Sequence, residues 1–261
     1  MRVRGIGNGT SREIFRVLLD GRVRRGYDYP FVTKMPQRIM VPTSSICPKS
    51  ACRRGRPRDE HRRELRCEEI LEKATEVFAE RGYRNTDVQY IADPLGIGKA
   101  TVYRYFATKE QLFLAAVERG VRRLDEAIGR AVKAVDDPIG KMMAATRAYL
   151  EFFEIHPDLV ELFIQERAEF RDRPKAIYFE HGCENKERWR HTLMTAMAKG
   201  RLRKMPVERI MAVTSDLLYG TMFTNHFAGR DKPFEEQAQD IQDVLFRGIL
   251  SDWERGPGKK S

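Results

Sequence analysis

Apolar residues between positions 86 and 106 recur with the spacing of two short helices separated by a tight turn. Thr86 and Gln89 fit a capping box at the start of the first helix, since a hydroxyl and an amide stand three residues apart. Gly96 is placed to end that helix, because glycine tolerates the left-handed backbone that follows many helix ends. One face of the helix is apolar, formed by Val88, Ile91, Ala92 and Leu95.

The second short helix is predicted from Lys99 to Phe106, with Ile97 as an apolar residue in the turn and Gly98 as the N-cap. Val102 and Phe106 stand four residues apart, so they share its inner face. The other residues of this helix are left on the outside or at the edge. This layout is that of a helix-turn-helix, whose second helix enters the DNA major groove.

Further helices are predicted on both sides of this pair. One runs from about Glu60 to Arg81 and is ended by Gly82. A second capping box, formed by Thr108 and Gln111, opens another that continues to about residue 135. Prolines mark the starts of the remaining ones, which we place near 138–155, 157–170, 174–200, 206–229 and 234–254. No strand pattern is evident, so the chain is predicted to be all-α.

The charge is distributed unevenly along the 261 residues. The formal net charge of +10 falls entirely in residues 1–56, which hold 13 basic and three acidic side chains, while the remainder is neutral overall. The basic composition therefore does not by itself make the folded part a nucleic-acid binder. That inference rests on the second short helix, where Lys99, Arg104 and nearby Lys109 are basic and no acid lies between Gly98 and Thr108.

The motif residues closely resemble the TetR family of bacterial transcriptional regulators. The resemblance covers about residues 60–120 and is carried by Ile91-Ala92, by Leu95 to Lys99, by Thr101 to Phe106 and by Thr108 to Phe113. One departure is Pro94, which removes a backbone donor late in the first of the two helices and is expected to shorten or tilt it.

The resemblance and the exposed positions together predict the DNA contacts. Thr101 and Lys99 are expected near the groove floor, Lys109 on a phosphate as at the matching family position, and Gln89 either on its own helix or on a base. The predicted DNA-binding residues are Gln89, Gly98, Lys99, Ala100, Thr101, Tyr103, Arg104, Tyr105 and Lys109. The alternative is a generic surface helix with aromatic filler.

The domain boundaries follow from these patterns. Residues 1–56 lack helical periodicity and are expected to be a disordered basic leader. Residues 57–120 form the DNA-binding domain, 121–255 a helical regulatory and dimerisation domain, and 256–261 a flexible tail. A basic arm at the end of the leader either follows the DNA backbone or minor groove or is simply solvated, and it consists of Arg53, Arg54, Arg56 and Arg58.

The second domain is rich in aromatic and methionine side chains, most of which are expected to be plain core. The resemblance implies that some of them line an apolar cavity for a small-molecule inducer. The candidate pocket residues are Phe152, Phe153, Phe163, Met194, Tyr219 and Phe223. Four histidines of this domain, at 156, 181, 191 and 226, are spread along the chain without ligand spacing, so no metal or other cofactor is expected.

Two late helices carry apolar stripes that either form a dimer or bury against their own domain. One stripe consists of Ile210, Val213, Leu217, Gly220 and Thr224, and the other of Ile241, Val244, Leu245 and Ile249. Dimerisation is favoured because one short recognition helix offers too little surface for specific binding. A four-helix bundle from two subunits is also usual in the family that the motif resembles.

The function predicted from the sequence is a cytoplasmic, nucleoid-associated homodimeric repressor that a small-molecule inducer releases from a double-stranded DNA operator. A ligand-independent architectural DNA-binding protein is the alternative. An enzyme is not expected, because no paired carboxylates, phosphate-binding glycine loop or nucleophile–base arrangement stands out. No apolar run approaches the ~20 residues needed to span a membrane. The four cysteines show no metal-ligand pairing, and disulfides are not expected.

Overall fold

The computed structural model describes residues 57–181, 185–229 and 232–247, and within these ranges every long element is an α-helix. The leader, the arm residues Arg53, Arg54 and Arg56, and the tail lie outside the described residues, whereas Arg58 is the second residue of the first helix. The helices are α1 Pro57–Arg81, α2 Gln89–Ala92, α3 Lys99–Tyr105, α4 Lys109–Lys133, α5 Pro138–Ile155, α6 Asp158–Glu169, α7 Ile177–His181, α8 Lys186–Ala198, α9 Val207–Ala228 and α10 Phe234–Arg247. The all-α prediction is confirmed.

Helices α1 to α3 and the first half of α4 enclose a small apolar core. Gly82 and Gly96 take left-handed backbone angles, φ +79° and +62°, and end the helical runs that the sequence predicted them to end. The inward side chains are fully or almost fully buried, and they include Ile70, Phe78, Ile91, Val102, Phe106 and Phe113. The apolar spacing that predicted the inner face of α3 is therefore confirmed.

The start of α2 differs from the predicted capping box. The Thr86 hydroxyl is buried and donates to the Gly82 carbonyl oxygen at 2.8 Å, so it does not cap α2. Asp87 takes that role, because its Oδ1 accepts the Gln89 backbone N–H at 2.8 Å. The end of the helix follows the expectation for Pro94, since α2 gives way to a 3-10 turn over Asp93–Leu95 that contains the proline.

Helix α4 is the element that the two halves of the chain share. Thr108 Oγ1 accepts the Gln111 backbone N–H at 3.0 Å, and the Gln111 side chain accepts the Ala107 N–H at 3.1 Å, which confirms a cap at the predicted position. The helix packs against α1 at one end and against α5, α6 and α7 along its length. The proposed boundary at residue 120 therefore falls inside a continuous helix.

An ion pair between a buried arginine and a partly exposed glutamate fixes α4 to α1. Arg119 Nε donates to Glu68 Oε2 at 2.6 Å, and Arg122 Nη2 donates to the other oxygen at 3.0 Å. Burial of Glu68 opposes its ionisation, but the hydrogen bonds and charges of the two arginines hold the pKa of this carboxyl below its usual value. Because Arg119 is only 7% exposed, removing Glu68 would leave a buried cation without its closest partner.

Helix α5 is the centre of the second half, where it contacts α4, α8, α9 and α10. The predicted single helix over 174–200 is wrong, because α7 and α8 are separate and Pro174 precedes α7 in irregular backbone. Glu166 of α6 accounts for the position of α7. It is almost fully buried, and its Oε1 accepts the Ile177 backbone N–H at 3.0 Å at the first residue of that helix.

Helix α6 also reaches the DNA-binding half directly. Gln165 Nε2 donates to the Phe78 carbonyl oxygen near the end of α1 at 2.8 Å. Arg84, in the turn between α1 and α2, donates through Nε to both oxygens of Glu169 at 2.7 and 2.9 Å. The turn is therefore attached to the second half of the chain by a side chain of its own, in addition to the shared helix.

The closest approach of α4 to α6 depends on a glycine. A Cβ atom at Gly120 would lie 2.3 Å from Cδ2 of Leu159, whereas one at Gly129 on the same helix would have nothing within 4 Å. Leu159 is 3% exposed, and the end of its side chain would have to change position to admit that Cβ.

We expect Gly120→Ala to destabilise the fold by about 1–3 kcal/mol, since the added methyl overpacks the α4–α6 contact. Gly129→Ala is the matched control and should stabilise the protein by roughly 0.5–1 kcal/mol, because alanine favours an open helical position. Urea denaturation of both variants measures the two values. Equal stabilisation by the two substitutions would show that α4 and α6 do not approach closely in solution.

Candidate nucleic-acid interface

The turn between α2 and α3 brings the recognition helix to the surface in a fixed orientation. Gly96 reverses the chain, and the Ile97 N–H returns to the Ala92 carbonyl oxygen at 3.2 Å. Gly98 precedes α3 in an extended conformation, φ −78° and ψ 149°, as expected of an N-cap. With Val102 buried beneath it, α3 turns its opposite face to the solvent.

All nine residues predicted to contact DNA are at least partly exposed. Gly98, Ala100, Tyr103 and Arg104 are exposed, whereas Gln89, Lys99, Thr101, Tyr105 and Lys109 are half-buried. Tyr105 packs against the core and lies beneath the guanidinium of Arg63, 5.9 Å from its ring centroid. The outermost face of α3 is consequently formed by the residues around Ala100, Tyr103 and Arg104.

Two of the predicted contacts are engaged with acids that flank α2. Lys99 Nζ donates to Asp87 Oδ1 at 2.6 Å, and Gln89 Nε2 donates to Asp93 Oδ1. The pKa of Asp87 is lowered, first by the backbone N–H of Gln89 and then by the hydrogen bond from Lys99. The same hydrogen bond raises the pKa of Lys99. The sequence did not reveal this pairing, because Asp87 precedes α2 and Lys99 begins α3, 12 positions later.

Lys109 has a structural role that the sequence did not predict. Its ammonium donates to three backbone carbonyl oxygens of the α1–α2 turn, those of Tyr83 at 2.9 Å, Thr86 at 3.0 Å and Arg84 at 3.3 Å. It also lies 4.6 Å from the centroid of the Tyr83 ring. An ammonium has three N–H donors, so this set of carbonyls satisfies all of them. The expected phosphate contact stays a prediction, and the geometry adds a role in holding the turn.

The candidate pocket residues do not share one environment. Phe152, Phe153 and Phe163 are at most 7% exposed and pack edge to face within the core. Tyr219 and Phe223 are half-buried and pack edge to face, with ring centroids 4.8 Å apart. Met194 lies apart from them, because its position on α8 leaves it 55% exposed.

A tyrosine pair, with Tyr149 buried and Tyr178 half-buried, lies among these rings and was not selected from the sequence. The hydroxyls of Tyr149 and Tyr178 are 3.0 Å apart, and Tyr149 Oη also lies 3.7 Å from the sulfur of Met222. Burial raises the pKa of Tyr178 to about 12 and raises that of Tyr149 well above its usual value. Both tyrosines therefore stay neutral, and their hydroxyls form a polar point inside an aromatic cluster.

A cleft of about 640 Å³ opens between α1, α4 and the α5–α6 turn. It contains none of the candidate pocket residues. Its lining mixes charges, and His226 Nε2 lies 2.6 Å from Glu161 Oε1 on one wall. Four separate chain segments form it, so no local spacing in the sequence could have predicted it. Among the described residues, no group of three or more histidines, cysteines, aspartates or glutamates is arranged to hold a metal ion.

None of the helices described is long and apolar enough to cross a membrane.

Residues 70–116 match a family model described as "Bacterial regulatory proteins, tetR family". The transcriptional activator FasR of Mycolicibacterium smegmatis is 36% identical over 109 residues, which cover 41% of this chain and 48% of FasR. The transcriptional repressor KstR2 of the same organism is 31% identical over 144 residues, which cover 53% of this chain and 68% of KstR2. The match to the Bacillus subtilis regulator YhgD covers 52% of YhgD. The chain therefore spans about half the length of FasR and of YhgD.

Solved structures show the same fold. The TetR-family regulator PfmR of Thermus thermophilus is 24% identical with a TM-score of 0.57, and the match covers 70% of this chain and 99% of PfmR. The regulator FadR of Bacillus subtilis, solved in complex with stearoyl-CoA, is 17% identical with a TM-score of 0.61, over 70% of this chain and 99% of FadR.

We expect Lys109→Met to lower the free energy of unfolding by about 1–3 kcal/mol, because three carbonyl oxygens lose a charged donor. Lys99→Met is the control, since the Lys99 ammonium bridges an exposed acid and should contribute little to stability. Chemical denaturation followed by circular dichroism gives both values. A Lys109→Met protein that keeps full stability but loses affinity for every DNA sequence alike would instead support a phosphate contact alone.

Proposed function

The chain belongs to the TetR family of bacterial regulatory proteins, and we propose that it is a DNA-binding transcriptional regulator that acts as a homodimer. The observation that carries this proposal is α3 with its exposed outer face, which includes Ala100, Tyr103 and Arg104. Its side chains suit base edges and phosphates, and the buried Val102 and Phe106 fix its orientation.

The dimer is supported by apolar side chains that the single chain leaves exposed. On α9, Val213 is 53% exposed, Leu217 36% and Phe227 69%, and Val244 of α10 is 51% exposed. Gly220 lies between them on α9, and a Cβ there would meet nothing within 4 Å, so a second helix has room to approach. The described residues of the two predicted stripes are thus only partly buried in their own domain, where Ile241 is 9% exposed, and Ile249 lies outside the described residues.

Repression with release by a small molecule is the regulatory mode that we propose. The family includes both a repressor and an activator among the relatives above, so the sign of regulation does not follow from membership. For the ligand site we propose the aromatic cluster between α5, α6, α7 and α9, with Phe153, Phe163, Tyr219 and Phe223 as its apolar walls. Met194 is left out, because its exposed position on α8 does not reach this cluster's buried rings.

The proposed coupling runs through two connections. Helix α4 carries Lys109 at one end and touches α5, α6 and α7 further along. Helix α6 is attached to the α1–α2 turn by the Arg84–Glu169 pair. A ligand that separates the aromatic rings would move α6 and α4 together, and it would shift the population away from the DNA-competent state to the extent that it prefers the moved one.

A ligand-independent architectural protein is the second candidate. It is favoured by the close packing of Phe152, Phe153 and Phe163, which leaves these three rings at most 7% exposed. Differential scanning fluorimetry against a panel of apolar small molecules separates the two candidates. Stabilisation by a compound that also lowers operator affinity supports the regulated repressor, and the absence of any such compound supports the architectural protein.

We expect an inverted-repeat operator, because a two-fold protein presents two identical recognition helices about one helical turn of DNA apart. Selection from random duplexes with the full chain, followed by sequencing, measures this directly. Enrichment of single half-sites would contradict the dimer. Enrichment of no sequence at all would contradict sequence-specific binding itself.

We expect Leu217→Glu to dissociate the dimer, because it places a charge in the apolar face that α9 presents to the second subunit. Ser215→Glu is the matched control, since residue 215 is exposed on the opposite side of the same helix and should leave the dimer intact. Analytical ultracentrifugation gives the mass of each variant. If both variants stay dimeric, or if both become monomeric, the result would contradict an interface on the Leu217 face of α9.

A further inference from the structure

The acid that caps α2 also holds a base at the start of the recognition helix. Asp87 Oδ1 accepts the Gln89 backbone N–H at 2.8 Å and the Lys99 ammonium at 2.6 Å. Both partners of the bridge are accessible, with 51% of the Asp87 side chain and 39% of the Lys99 side chain exposed. One carboxylate oxygen thus connects the first turn of α2 with the first residue of α3.

The position of this acid is unusual for a DNA-binding surface. In a helix-turn-helix the first helix crosses the DNA backbone, and the first residues of the second helix approach the base edges. A carboxylate just before α2 would repel the phosphates that the same surface has to approach. Its cap alone does not require a charge, because serine, threonine and asparagine also serve at helix starts. The negative charge of Asp87 therefore calls for a role beyond capping.

The negative charge of Asp87 can serve to hold the Lys99 ammonium in place. A lysine side chain that is free to move would take any phosphate within reach, which adds affinity for DNA of every sequence. In the structure the Asp87 carboxylate occupies one of its three N–H donors and fixes the position of the ammonium. The two remaining donors stay available for acceptors on a base edge at one place in the groove.

We propose that Asp87 is a specificity-determining residue, which holds Lys99 in place to read a base and keeps it from binding phosphates indiscriminately. The inference rests on the proposed DNA-binding function and deepens it. Asp87 acts through Lys99 and is a positioning residue, not a reader of bases. On an operator, the bridge persists while Lys99 contacts its base. On other DNA, the same bridge withholds one cationic contact from the backbone.

A matched acid on the same pair of helices makes the proposal testable. Asp93 lies at the other end of α2, where it accepts the Gln89 side-chain amide and does not contact Lys99. Asp87→Asn and Asp93→Asn each remove one negative charge and keep an acceptor oxygen. Only Asp87→Asn releases Lys99 from a charged partner. Asp87→Ser is a second variant that retains a cap, in case the asparagine protein does not fold.

The experiment uses the full chain, the duplex that it selects from random sequence, and a scrambled duplex of equal length. Binding is measured over a range of salt concentrations. For Asp87→Asn we expect several-fold tighter binding to the scrambled duplex at low salt and a salt dependence that is steeper by about one unit of log–log slope. The ratio of operator to scrambled affinity should fall, whereas Asp93→Asn should leave the salt slope unchanged, because the Gln89 amide that it releases is neutral. In a Lys99→Met background, Asp87→Asn should have no effect on the slope.

Three results would overturn the proposal. Equal effects of Asp87→Asn and Asp93→Asn would assign the change to net charge alone. Persistence of the Asp87→Asn effect in the Lys99→Met background would show that the acid does not act through Lys99. An unchanged specificity ratio in both Asp87 variants would leave Asp87 as a helix cap only. A wild-type protein that selects no duplex would instead refute the DNA-binding function, which is a different failure.

Discussion

The turn between α1 and α2 is the point on which the arrangement of the two halves depends. Three kinds of contact meet there. The Tyr83 ring packs edge on against Phe113 of α4 and against Phe170, with ring centroids 5.2 and 5.1 Å apart. Lys109 binds the carbonyl oxygens of the turn, and Arg84 reaches Glu169. Within the turn the Thr86 N–H donates to the Tyr83 carbonyl oxygen at 3.4 Å, and the contacts from α4 and α6 add to this bond in fixing the conformation.

Local patterns in the sequence predicted the DNA-binding half well. The spacing of Val102 and Phe106, the position of Gly96 and the effect of Pro94 each concern neighbouring residues of one element, and each was confirmed. The incorrect predictions concern which of two polar side chains forms a given hydrogen bond. Asp87 and not Thr86 accepts the free N–H at the start of α2, because the Thr86 hydroxyl donates to the Gly82 carbonyl oxygen. Spacing alone does not show which of two adjacent polar residues will turn towards a free N–H.

The regulatory half shows the limit of such patterns more clearly. The stretch 174–200 has helical composition, but a single helix through it would not place Ile177 against the buried carboxylate of Glu166. That contact joins residues on different helices, and burial raises the pKa of Glu166, whose second carboxylate oxygen has no hydrogen-bond partner among the described residues. The same reason applies to the candidate pocket. The aromatic residues were recognisable as core, but their division into buried rings and an exposed Met194 depends on how five helices pack.

The glycine at the α4–α6 contact has a mechanical consequence. Gly120 lies 11 residues after Lys109, which corresponds to about 16 Å along the helix axis at ~1.5 Å per residue. If α4 pivots where Leu159 touches Gly120, a rotation of about 10° would displace the Lys109 end by roughly 3 Å. That displacement is close to the ~3.4 Å rise of one DNA base pair. A tilt of α4 that the side chains around the Gly120–Leu159 contact can accommodate would therefore move a recognition helix by about one base step.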